Sequence, residues 1–127
     1  MGADRLLGVE LRHLLALEAV AREGSFGSAA IALGYTQSAV SQQIAALERV
    51  VGEKLFERPG GPRPVSLTEA GRLVLRHSEA IVARIQALQA DLAAFRERMD
   101  AAAYEQARSA AADRRLREQM GLPALSF

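Results

Sequence analysis

Apolar residues along the chain fall into stripes at helical spacing, separated by turns rich in Gly or Pro. The first stripe is Leu11, Leu14, Leu17, Val20 and Ala21. It predicts a helix from about Glu10 to Glu23, with these residues buried and Gly24 as its stop. Ser25 is placed to cap a second helix, Phe26 to about Leu33, that ends at Gly34. Phe26, Ile31 and Leu33 supply its apolar bulk, and Ala29, Ala30 and Ala32 allow close helix approach. The third stripe, Val40, Ile44, Leu47 and Val51, steps i, i+4, i+7, i+11 and ends before Gly52. Thr36 is its N-cap, and Tyr35 and Val40 stand at the two positions of a hydrophobic staple. Residues 1–9 form a leader with Gly2 and Gly8, expected to fray.

After Gly52 the period shortens. Leu55-Phe56-Glu57-Arg58 and Val65-Ser66-Leu67 flank the turn Pro59-Gly60-Gly61-Pro62-Arg63-Pro64, which reads as a small hairpin. Thr68 then caps a long helix, with Glu69 favourably placed in its first turn. From Ile81 the apolar residues step 4, 3, 4, 3, 4, 3 through Ile85, Leu88, Leu92, Phe95, Met99 and Ala102. This is the period of a coiled-coil seam, and Arg84, Gln89, Asp91, Arg96 and Arg98 flank it. At about 1.5 Å per residue, residues 68–99 would extend about 48 Å. A head of this size cannot cover so long a stripe, so a partner helix is expected over Ile81, Ile85, Leu88, Leu92, Phe95 and Met99. The seam fades after Ala102, but helix propensity stays high to Gln119, and Gly121 and Pro123 stop it.

The third helix has an unusual outward face: Gln37, Ser38, Ser41, Gln42 and Arg49. A solvated helix usually carries Glu and Lys there. Amides and hydroxyls donate and accept at fixed geometry, as readers of base edges must. Two short helices joined by a tight Gly turn form a helix-turn-helix, whose second helix enters the major groove N-terminus first. The polar face sits at that N-terminus. A hairpin after such a motif is a wing, and Arg58 and Arg63 stand at its base and tip, within reach of phosphate or the minor groove. The expected fold is therefore mainly α: three helices and a two-stranded wing over residues 1–67, a dimerisation helix over 68–120, and a tail over 121–127.

Composition narrows the function. The 127 residues carry a net charge of only +1, which argues against indiscriminate nucleic-acid binding but leaves room for a local basic patch. Fifteen of the 16 basic residues are Arg, a bias that a GC-rich genome also produces. With no Cys, disulfides and thiolate metal sites are excluded. No apolar run has signal-peptide or membrane-spanning character, so a cytoplasmic protein without membrane contact is expected. His13 and His77 lack a surrounding ligand set and are read as structural, with no metal and no cofactor expected. Gly60-Gly61 lacks the Lys of a phosphate loop, and Ser25, Ser38 and Ser41 have no base beside them, so an enzyme finds no support.

Several ordered segments resemble the DNA-binding domain of LysR-type transcriptional regulators. They are Leu11-Arg12-His13-Leu14, Gly24-Ser25-Phe26 with Ala29-Ala30, Thr36 to Ile44 with Leu47-Glu48, Leu55-Phe56-Glu57-Arg58, and Leu67-Thr68-Glu69-Ala70-Gly71. The resemblance covers about residues 10–95. It implies that Gln37, Ser38, Ser41 and Gln42 face the major groove, that Arg58 and Arg63 contact backbone or minor groove, and that the long helix pairs antiparallel with a twin; Thr36, at the head of the same helix, is counted with the DNA-binding residues. Ser38 stands where Pro is common in that family, Gln42 where Arg is common, and the wing turn is slightly long. The family's α/β effector domain has no counterpart after residue 100, so no small-molecule effector is expected in this chain. The sequence fits either a piece of a longer regulator or a naturally short one.

The leading expectation is a dimeric, sequence-specific regulator of double-stranded DNA. One alternative is a short interaction protein that pairs with full-length relatives and inhibits them. Another is the winged domain of molybdate-responsive regulators, which the Ser38–Ile44 run disfavours.

Overall fold

The computed structural model describes residues 3–123 and follows the expected order of elements. A short 3-10 segment, Ala3–Gly8, leads into α1 (Leu11–Glu23), α2 (Phe26–Leu33) and α3 (Gln37–Val51). The wing strands β1 (Phe56–Glu57) and β2 (Ser66–Leu67) precede α4 (Glu69–Met120). The strands are antiparallel, with Phe56 opposite Leu67 and Glu57 opposite Ser66. By contacts the chain divides into one compact unit running to Ile85 and a second from Gln86 onward.

In the first unit, local chemistry starts and stops each helix. Ser25 Oγ accepts from Ser28 N–H at 3.0 Å, and Thr36 Oγ1 from Ala39 N–H at 3.1 Å, so both predicted caps form. Gly34 ends α2 at φ 72°, a left-handed conformation that L side chains adopt reluctantly, and its N–H returns to α2. The core is built from Leu14, Leu17 and Val20 of α1, Val40, Ile44 and Leu47 of α3, and Leu55 and Phe56 of the wing. Phe26, Ala29 and Ala30 close it from α2.

Two residues expected in the core lie outside it. Ile31 is 84% exposed. The covered face of α2 runs through Phe26, Ala29, Ala30 and Leu33, and Ile31, five residues from Phe26, falls on another flank. Leu11 is 41% exposed because it occupies the open first turn of α1, ahead of the first covered positions, His13 and Leu14. The leader also departs from expectation. Ala3–Gly8 is helical, and Arg5 donates to the Arg49 carbonyl at 3.1 Å, satisfying an acceptor in the last turn of α3.

The wing is tied on three sides. Leu55 N–H donates to Glu48 Oε2 of α3 at 2.8 Å, Thr68 N–H to Leu55 O at 3.0 Å, and Val65 N–H to Gly24 O at 3.0 Å. Thr68 caps α4 as predicted: its Oγ1 accepts from Gly71 N–H at 2.9 Å and donates to Lys54 O at 2.6 Å. Ser78 is buried, and its hydroxyl lies 3.4 Å from both the Leu14 carbonyl and Glu18 Oε1, joining α4 to α1.

In the second unit the helix of residues 86–120 is exposed apart from Ala87, Ala111 and Arg117, which are half-buried. Arg117 pairs with Asp113 at 3.2 Å and donates to Pro123 O at 3.2 Å, closing the helix end at Gly121. Residues 124–127, part of the expected tail, lie outside the described residues.

Candidate nucleic-acid interface

The polar N-terminal face of α3 is open. Gln37, Ser38 and Gln42 are exposed, and Ser41 is half-buried. Thr36 is exposed too, but its oxygen is already engaged as the cap, which leaves its O–H free to donate. Neither α2 nor α3 has an acidic residue in its first turn, so no carboxylate there repels an anion.

Helix α3 and the wing converge on the first turn of α2. Gln37 Oε1 lies over Gly27, 3.5 Å from where a Cβ would stand. The guanidinium of Arg58 stacks on the adjacent residue, with its Cζ 4.4 Å from the centre of the Phe26 ring. Phe26 in turn meets Phe56 edge-on at 6.0 Å. A cation over an aromatic face gains roughly 0.5–1 kcal/mol at an exposed site. This contact restrains the Arg58 guanidinium beside the first turn of α2. Arg63 is exposed in the wing turn, and it and Arg58 line one open groove of about 550 Å³ with Glu57, Pro59, Pro64 and Ser66.

The structure therefore places Gln37 against Gly27 and Arg58 against Phe26, neighbouring residues of α2, and Arg58 and Arg63 line the same groove. The seam residues lie elsewhere, on α4. Ile81 and Ile85 of the first unit are 46% and 40% exposed. Leu88, Leu92, Phe95 and Met99 of the second are 57%, 41%, 49% and 51% exposed.

Sequence reasoning missed the Phe26 platform, because Phe26 read as core bulk. It is buried at 8% exposure, yet one face of its ring carries Arg58. It also missed Glu48 as the carboxylate that fixes the start of the wing. Glu48 lies in α3 and Leu55 beyond its stop at Gly52, so no periodicity within one element links them. His13 is buried, with Nδ1 accepting from Glu10 N–H and Nε2 3.1 Å from Glu10 Oε2, a structural role. His77 is exposed. Among the described residues, no group of His, Cys, Asp or Glu could hold a metal ion, and no helix is long and apolar enough to cross a membrane.

Comparison with known proteins bears on this geometry. Residues 11–72 match the family described as bacterial regulatory helix-turn-helix protein, lysR family. The chain is 49% identical over 75 residues to the HTH-type transcriptional regulator ShiR of Corynebacterium glutamicum, covering 59% of this chain and 25% of ShiR. It is 43% identical over 88 residues to a probable hydrogen peroxide-inducible genes activator of Mycobacterium xenopi, covering 69% of this chain and 46% of that protein. It thus spans about a quarter to a half of the length of these curated relatives. Among solved structures, the BenM DBD chain in its complex with catB site 1 DNA superposes with a TM-score of 0.58 at 37% identity. That match covers 62% of this chain and 83% of the BenM chain.

Proposed function

Because the chain belongs to the LysR family of bacterial helix-turn-helix regulatory proteins, we propose that it binds double-stranded DNA in a sequence-specific manner, as a dimeric transcription regulator. The observation that carries this reading is the convergence of an uncharged amide and hydroxyl face with a stacked arginine on one turn of α2. The BenM relative, whose complex contains DNA, supports the same reading.

In this proposal Gln37, Ser38, Ser41 and Gln42 read base edges in the major groove, and Thr36 donates at its rim. A Gln amide pairs with adenine through one donor and one acceptor at once, which a phosphate does not require. Arg58 and Arg63 supply the sequence-independent part, neutralising phosphates or entering the minor groove from the wing. The exposed seam of α4 joins two heads: each large apolar side chain fully buried contributes roughly 1.5–3 kcal/mol. Two linked heads bind two half-sites with raised effective concentration. A DNA ligand supports a cytoplasmic location, and the proposed reading calls for no cofactor or metal.

The test is selection of duplexes from a random library by the purified chain. The expected result is an enriched inverted repeat. A pool that stays random, with equal affinity for every duplex, would leave only the backbone contacts and overturn sequence-specific reading.

A further inference from the structure

One arm of the wing meets α2 through a single ring. Phe56 and Arg58 stand two residues apart, a spacing at which extended chain sends side chains to one side. Both reach Phe26: Phe56 edge-on at 6.0 Å between ring centres, Arg58 with its Cζ 4.4 Å from the ring centre. Phe26 and Phe56 are buried, so the core fixes the ring, whereas Arg58 is exposed. The Arg58 backbone is restricted too, because Pro59 follows it and disfavours the helical region. The other arm is tied down separately, through Val65 N–H and Gly24 O at 3.0 Å. What keeps its freedom is the long Arg58 side chain, with many rotamers to lose on binding. Among the described residues no carboxylate pairs with it.

We propose that Phe26 is a positioning residue for DNA binding: its ring holds the Arg58 side chain ready for the nucleic-acid backbone without touching DNA itself. The inference rests on the wing contact proposed above for Arg58 and names what prepares that arginine. The face of an aromatic ring carries negative charge and attracts a cation placed over it. A carboxylate would hold Arg58 as well, but it would neutralise the charge and occupy N–H donors that a phosphate needs. The ring narrows the rotamers and leaves the full positive charge. A phosphate that meets Arg58 therefore orders less of it, and the ordering cost of binding falls. Contacts to the backbone carry no sequence information, so the gain is the same on every duplex. Phe26 thus sets affinity from inside the core, while the exposed amide face of α3 sets base preference.

The test uses the full chain and changes the ring in two ways. Phe26→Leu removes the ring, and a ring-fluorinated phenylalanine at the same position keeps its size while draining charge from its face. The fluorinated chain answers the question even if Phe26→Leu fails to fold, and circular dichroism checks both. Kd is measured by fluorescence anisotropy on a selected duplex and on its scrambled counterpart, at one salt concentration, in the wild-type and Arg58→Ala backgrounds. Each change should weaken binding to both duplexes about two- to fivefold, the range a cation over an exposed ring supplies. In the Arg58→Ala background neither should weaken it further, because the residue that Phe26 positions is gone. A merely structural Phe26 would give the same loss in both backgrounds, and that result would overturn the proposal. So would a fluorinated chain that binds as wild type while Arg58→Ala binds more weakly. Tighter binding after either change would show that the ring withholds Arg58 from DNA, the opposite of the proposal. If Arg58→Ala itself binds as wild type, the wing contact falls and the role of Phe26 with it.

Discussion

Replacing Gly71 by Ala probes the joint between head, wing and long helix. A Cβ at this position would stand 2.1 Å from the Leu55 carbonyl oxygen, 3.0 Å from its carbon and 2.9 Å from Leu67 Cδ2. The leucine side chain can turn away, but the carbonyl cannot easily. It accepts from Thr68 N–H at 3.0 Å, and Leu55 N–H is held by Glu48 at 2.8 Å. Overfilling a packed site costs about 1–3 kcal/mol, and more where backbone must move. Ala regains about 1 kcal/mol of helix propensity over Gly. Because the blocking atom is backbone, the upper part of that range, about 2–3 kcal/mol, applies, and the expected net loss is about 1–2 kcal/mol. Gly60→Ala is the control, since nothing lies within 4 Å of its Cβ position. Urea unfolding at one protein concentration reads both. With a slope of about 2 kcal/mol/M, Gly71→Ala should lower the midpoint by about 0.5–1 M and Gly60→Ala should barely move it. Equal midpoints for the two variants would refute the close approach of α4 to Leu55.

Gln37→Ala should cost about 1–3 kcal/mol on the best duplex and relax preference at one base position; equal losses on selected and random DNA would make Gln37 a backbone contact. Arg58→Ala should weaken all duplexes similarly and reduce the salt slope by about one unit in a titration from low to high salt; an unchanged slope would remove its phosphate contact. Leu92→Glu should give monomers by sedimentation, because a carboxylate in the seam must be desolvated or force the helices apart. It should also weaken two-half-site DNA far more than one half-site, and a variant that stays dimeric would place the interface elsewhere.

The elements of this fold were legible because each carries a local signal. Caps at Ser25, Thr36 and Thr68, and the stops at Gly24, Gly34 and Gly52, need only neighbouring residues to act. The stripe Val40, Ile44, Leu47 was legible because one buried face repeats at the helical period. Ile31 and Leu11 were not, since apolar character says nothing about which side of a two-turn helix is covered or where the core stops. The helical leader depends on Arg5 reaching a carbonyl 44 residues away, and the wing anchor on Glu48 reaching across a turn. Such contacts have no periodicity to read. The polar face of α3 was visible as composition, but its meeting with Arg58 on Phe26 and Gly27 was a matter of tertiary packing.

Sequence-specific recognition of DNA by a paired head is the proposed function. The most direct measurement titrates the wild-type chain, at one stated salt near 0.15 M, onto a selected two-half-site duplex and onto the same duplex with both half-sites scrambled. The selected duplex should bind at least about 1,000-fold more tightly, the range typical of specific regulators. Equal affinities that fall together with added salt would contradict it, leaving a protein held to DNA by its arginines alone.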